Sequence, residues 1–138
     1  MIESLTVPGA RVLIVTDRAE AGAALLDAVR ERAAAGLAEF HVLVPNPAAA
    51  EWHPLHPERR AAVAKAERDL LRMLPAIQDV ADGGVRGHLS ARHEPMAAIE
   101  ELLHDEPFDE IVLALEGGHP DRLARRVVRI GLPVTTVR

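Results

Sequence analysis

The residues with the most chemical potential in this chain sit at strand ends. Residues 110–126 read EIVLALEGGHPDRLARR: an apolar, β-branched-rich run ends at Glu116, two glycines follow, and a polar helix starts almost at once. In open α/β folds, the turn after such a strand is where phosphates and cofactors usually sit. Gly117 and Gly118 can turn their backbone N–H groups inward as an anion nest, and a helix N-terminus adds a favourable dipole. Arg122 or Arg125 could reach back to it. Against this, Glu116 and Asp121 flank the turn with negative charge, and an acid in a first helical turn is ordinary macrodipole chemistry. The balance favours a tight corner, with anion binding as the alternative.

Asp17 is the second such position. It closes the apolar run RVLIVT (11–16), and a carboxylate at the end of a central strand is a candidate site residue. It would equally serve as the N-cap of a helix starting near Ala19. Seven histidines raise the question of a metal. His53 and His56, however, lie in WHPLHP, which Pro54 and Pro57 keep from being helical, and no acid or cysteine completes a ligand set. His41 reads as a packed strand residue. Ser90 has only His93 nearby as a base, and no G-x-S-x-G, G-x-G-x-x-G or G-x-x-x-x-G-K-[ST] string occurs. Nothing marks catalysis, so the expectation is a non-enzyme without a metal.

Bulk properties narrow the partners. The net charge is −5, and aromatic residues are 2% of the chain with Tyr absent. Basic residues are scattered among acids, which argues against nucleic acid. Cysteine is absent, so disulfides and thiolate chemistry are excluded. No run approaches the length of a membrane span, and MIESLTVPGA lacks the basic and apolar regions of a signal peptide. A cytoplasmic location is expected.

These residues need elements to position them. Five apolar runs alternate with helix-like stretches. RVLIVT (11–16), FHVLV (40–44), VRGHLSA (85–91), DEIVLAL (109–115) and PVTTV (133–137) read as strands, the first continuous enough to be buried on both faces. Helices are expected over 18–35, from Pro57, from Pro95 to about His104, and from about Pro120 to Ile130. Pro75 should break or kink the long second helix. The loop 45–57 is long for a compact domain, and its Trp52 could cover a ligand or contact a protein partner, or simply anchor the loop on its own surface. Strands alternating with helices mean one doubly wound α/β domain over residues 1–138, with a parallel sheet.

With this order of elements the chain resembles the universal stress protein family. VLIVTD (12–17) looks like that family's first strand and its exit, and FHV (40–42) like its second. HEPMAAIEELLHDEPFDEIVLAL (93–115) is similar to the third helix and fourth strand, and RLARRVVRIGLPVTTV (122–137) to the closing helix and strand. The resemblance covers nearly the whole chain and is strongest over 93–137. It implies a five-stranded sheet of order 3-2-1-4-5. It also implies an adenosine side at Thr16, Asp17 and Val42. The family's phosphate loop, G-x2-G-x9-G-[ST], is not matched: Pro120 stands where the second glycine belongs, and the spacer with its closing Gly-Ser/Thr is missing. The resemblance therefore implies a non-catalytic stress-response or regulatory module with a degenerate nucleotide site and no cofactor. The alternative is a weak sensor of adenosine, AMP or ATP. It further implies a homodimer paired through the fifth strand, burying Val134 and Val137.

Overall fold

The structure, a computed structural model, describes residues 9–48 and 57–138. Strands and helices alternate as β1 (Ala10–Thr16), α1 (Ala23–Ala35), β2 (Ala38–Val44), α2 (Pro57–Ala81), β3 (Val85–Leu89), α3 (Pro95–Asp105), β4 (Glu110–Ala114), α4 (Pro120–Val128) and β5 (Val134–Thr136). All four pairings are parallel, and the order is β3-β2-β1-β4-β5. Trp52, His53 and His56, and with them most of the 45–57 loop, lie outside the described residues.

The strand alternation feeds two cores. Val12, Ile14, Phe40, Val42 and Val44 face one side, where Leu25 and Val29 of α1 and Leu70, Met73 and Ile77 of α2 cover them. Leu13, Val15, Leu43, Ile111 and Leu113 face the other, under Ile99 and Leu102 of α3 and Leu123 and Val127 of α4. A strand buried on both faces has no polar side to alternate with, which is why β1 reads as an unbroken apolar run.

Two expected helix boundaries are corrected. α1 begins at Ala23 behind an N-cap at Gly22, not near Arg18. The preceding residues are held otherwise: the Thr16 hydroxyl accepts the Arg18 N–H at 3.2 Å, and Asp17 bonds across the sheet, as described below. The long helix does not break at Pro75 but continues to Ala81. Ile77 and Ala81, beyond the proline, are buried in the same core as Leu70 and Met73 before it. Pro75 itself is exposed, and the Leu71 carbonyl that loses its donor belongs to a residue 68% exposed, so water can serve it. Core packing on one side outweighs a missing hydrogen bond on the other. Gly87 helps α2 lie close on β3, since a Cβ there would meet Leu74 Cδ2 at 2.9 Å.

The far end of β5 is tied into its own sheet. Val137 donates its N–H to the Leu113 carbonyl at 2.8 Å and is buried in the protomer's own core. Val137 is 7% exposed before any partner pairs along this edge. Val134 is half-buried against the second core, while Thr135 and Thr136 are exposed.

Pro75→Ala tests the balance in α2. Restoring the donor removes a helix-interior penalty of about 3 kcal/mol, while a freer unfolded chain takes back about 0.4–1 kcal/mol. Urea unfolding should show the variant more stable by about 2 kcal/mol, with an unchanged m-value.

Candidate functional site

Chain winding reverses between β1 and β4, so a crevice opens at their C-terminal ends. The register places Thr16 beside Ala114, and the two exits therefore run side by side. Asp17 bridges them. Its Oδ1 accepts the Glu116 N–H at 2.8 Å, and its Oδ2 accepts the Gly117 N–H at 2.8 Å. A Cβ at position 117 would stand 3.0 Å from Asp17 Oδ2, so only glycine admits this approach without a shift. Gly118 takes φ +71°, in the left-handed region. The expected choice between site residue and N-cap thus resolves differently: Asp17 caps no helix and instead holds the Gly117-Gly118 turn.

The adjoining cleft has a volume of about 560 Å³ and is closed by the exits of four strands and one face of α2. Of the three adenosine-side positions only Asp17 lines it. Thr16 and Val42 are fully buried. Val42 also lies mid-strand, between Ile14 of β1 and Gly87 of β3, where the sheet ladders engage its backbone. Gly117 and Gly118 both reach the cleft. On the far side of their turn, a smaller depression of about 210 Å³ is lined by Arg122 and Arg126 rather than Arg125.

The cleft's other polar groups come from elements far apart in sequence. Asn46 follows β2, Lys65 and Asp69 lie on α2, and His93 follows β3. Lys65 Nζ and Asp69 Oδ2 pair at 2.7 Å. His93 Nδ1 lies 2.7 Å from the Asn46 carbonyl. A carbonyl only accepts, so Nδ1 carries the proton and, in the neutral ring, Nε2 is left as an acceptor. The Ser90 hydroxyl is buried and accepts the Arg92 N–H at 2.9 Å. Ser90 and His93 are therefore each committed to backbone and do not pair with one another. Arg18 completes the wall, its Nε 3.7 Å from Glu116 Oε1 and otherwise buried without a hydrogen-bond partner. Sequence reasoning missed Asn46, Lys65 and Asp69 because only the packing of α2 over the exit of β2 brings them together.

A second polar cluster lies at the opposite, N-terminal end of the sheet. Arg11 Nη2 and Arg86 Nη2 both donate to Glu106 Oε1, at 3.0 and 3.1 Å. The Arg11 guanidinium beside Glu106 holds its carboxyl below the usual carboxylate range, with Arg86 adding to the effect. His41 is buried beside them, 3.6 Å from Glu106 Oε2. Burial pushes its imidazole below the ordinary histidine value, against the pull of Glu106. Among the described residues, no group of three or more His, Asp or Glu side chains is placed to hold a metal ion.

No protein-family model and no curated protein matches the chain. Solved structures do. A universal stress protein from Archaeoglobus fulgidus superposes with a TM-score of 0.67 at 14% identity, over 100% of both chains. The universal stress protein from Archaeoglobus fulgidus in complex with dAMP gives 0.65 at 16% identity, covering 94% of this chain and 98% of that one. A hypothetical protein gives 0.64 at 16% identity, over 91% and 94%. The fold of the chain, with its sheet order, is that of the universal stress proteins.

If Asp17 holds the β4 exit, Asp17→Ala should free two amides at once. Hydrogen exchange at Glu116 and Gly117 should accelerate while β1 and β4 stay protected. Stability should fall by about 1–2 kcal/mol, the scale of hydrogen bonds to a solvent-accessible carboxylate.

Proposed function

We propose that this chain is a non-catalytic regulatory module built on the universal stress protein fold, one that does not hold ATP by a phosphate loop. One observation carries the reading: the Asp17 carboxylate already occupies the Glu116 and Gly117 amides. In a phosphate-binding turn such N–H groups face the ligand. Here a phosphate would have to displace a tethered carboxylate and then sit beside it and beside Glu116. Two like charges 4 Å apart repel by about 4 kcal/mol at the effective dielectric of a protein surface, more than a displaced pair of hydrogen bonds returns. The separate backbone commitments of Ser90 and His93 support a role without catalysis.

A second reading, an adenosine or AMP sensor, is favoured by the cleft itself. Its volume of about 560 Å³ falls within the range of small-molecule sites, about 300–1,000 Å³, and a structure of the same fold carries dAMP. In this reading the unused lone pairs of Asp17 meet a ribose. His93 Nε2 and the Asn46 side chain, whose Oδ1 also accepts the Ala48 N–H at 3.0 Å, meet a heterocycle.

Thermal-shift titrations with adenosine, AMP and Mg-ATP separate the two. The first reading expects no stabilisation by ATP beyond that given by adenosine. A shift with adenosine and AMP that disappears in Asp17→Ala supports the sensor. Stabilisation by ATP well above that by adenosine overturns the main reading; ligand at 100 times its dissociation constant adds about 2.7 kcal/mol.

The module acts as a homodimer in this proposal. β5 is a sheet edge with exposed Thr135 and Thr136, and unpaired edges invite partner strands. Val128 and Ile130, 55% and 43% exposed, lie at the end of α4 and in the turn leading into β5. Light scattering at micromolar concentration should give twice the chain mass, reverting to one chain mass in Val128→Glu/Ile130→Glu. A wild type of single-chain mass refutes the dimer.

A further inference from the structure

We propose that the cavity at the N-terminal end of the sheet binds a small oxyanion, of the phosphate or carboxylate class, between Arg11, Arg86 and His41. The space is about 350 Å³ and is also lined by Glu39 and Phe108. It lies at the other end of the strands from the cleft and does not depend on the function proposed for that site.

The argument starts from a histidine with nothing to bond. The register fixes His41 between Leu13 of β1 and Arg86 of β3. Its side chain is 9% exposed, and neither ring nitrogen has a hydrogen-bond partner among the described residues. Each orphaned buried polar group costs about 1–3 kcal/mol. Glu106 Oε2, at 3.6 Å, lies beyond hydrogen-bond range. A buried imidazole facing a cavity is a group built to meet something.

The surroundings select what that is. Two guanidiniums converge on the single oxygen Glu106 Oε1, and the other acid lining the cavity, Glu39, has no bond to either of them there. Each guanidinium carries five N–H donors and gives only one to Glu106. Donors from Arg11, Arg86 and a His41 N–H thus surround one space, which matches an oxyanion. A stacked base is disfavoured, because the Arg11 guanidinium covers the Phe108 ring at 4.9 Å and His41 meets it edge-on at 5.7 Å. A metal ion is disfavoured by the two guanidiniums. Glu39 opposes an anion, but it is exposed and water screens it.

Binding should carry a proton with it. The groups facing His41 are Glu106 after α3, Arg86 and His88 on β3, Arg11 on β1 and Glu39 on β2. Burial and the three basic neighbours keep the empty-site imidazole neutral, and only Glu106 favours its charge. An anion in contact with the ring favours the imidazolium, so occupancy and protonation reinforce one another.

The test uses sulfate, whose charge is constant across neutral pH, and acetate as the carboxylate probe. Each is titrated into the protein at mildly acidic and mildly alkaline pH, following the His41 ring resonances and the heat of binding. The expected result is saturable binding of at least one probe that moves the His41 signals and tightens by up to about tenfold per pH unit as pH falls. Sulfate alone identifies a phosphate-class ligand, and acetate alone a carboxylate. Arg86→Ala, at a side chain 61% exposed, should weaken binding at least tenfold in a folded protein, and His41→Gln should abolish the pH dependence. No response of His41 to either probe means that the cavity holds water only and overturns the proposal. Binding that both variants retain unchanged overturns it equally.

Discussion

The Asp17 carboxylate ties together two strand exits that the topology sends to opposite faces. β1 leaves toward α1 on one side of the sheet, and β4 leaves toward α4 on the other. Without a bridge the crevice between them would be a gap of unpaired backbone. Asp17 fills it with two 2.8 Å bonds to consecutive amides, and the consequences spread outward. Residue 117 must be small, because a Cβ would crowd Oδ2. α1 cannot start at its expected place, because the residues after Thr16 are committed to the bridge and to the Thr16–Arg18 turn. One carboxylate thus bears on a turn, a helix boundary and one wall of the cleft.

The fold was legible because strand burial and helix spacing are local signals. Val12 to Val15 are each fully buried, so hydrophobicity alone marks β1, and glycine and proline punctuate most of the rest. Features decided across the sheet were not legible. Pro75 reads as a breaker until Ile77 and Ala81 are seen to need the helix beyond it. Val137 reads as an edge residue until its N–H finds Leu113. The resemblance assigns Thr16 and Val42 to the cleft, yet the helices covering both faces of β1 and β2 bury the two side chains. Gly117 reads as a corner from the sequence, but the carboxylate that bonds its amide lies a hundred residues away. No spacing rule reaches that far.

The two ends of the sheet handle charge in opposite ways. At the C-terminal end the Glu116 and Gly117 amides are satisfied from within, and Lys65 pairs with Asp69. At the N-terminal end two guanidiniums share one carboxylate oxygen, and a buried imidazole has no partner. The chain as a whole is acidic, at −5, and the cluster of donors at this end is a local product of Arg11, His41 and Arg86 arriving on adjacent strands. Parallel strands in register bring such residues together, whatever the bulk charge.

An internal anion differs from a bound one in what it couples to. When a phosphate orders a loop, the loop's stability depends on ligand concentration, and the protein reports that concentration. Asp17 is tethered within the same domain, so the entropy of bringing it to the amides is met once, on folding, and not again at each binding event. The β4 exit is then ordered whether or not anything occupies the cleft. A ligand shifts an equilibrium only by its differential affinity for two states, so an anion at this turn would have to compete with Asp17 for the Glu116 and Gly117 amides. The cleft's other polar groups, Asn46, His93 and Lys65, stand at the exits of β2 and β3 and on the face of α2, where among the described residues no internal carboxylate fills the backbone in this way.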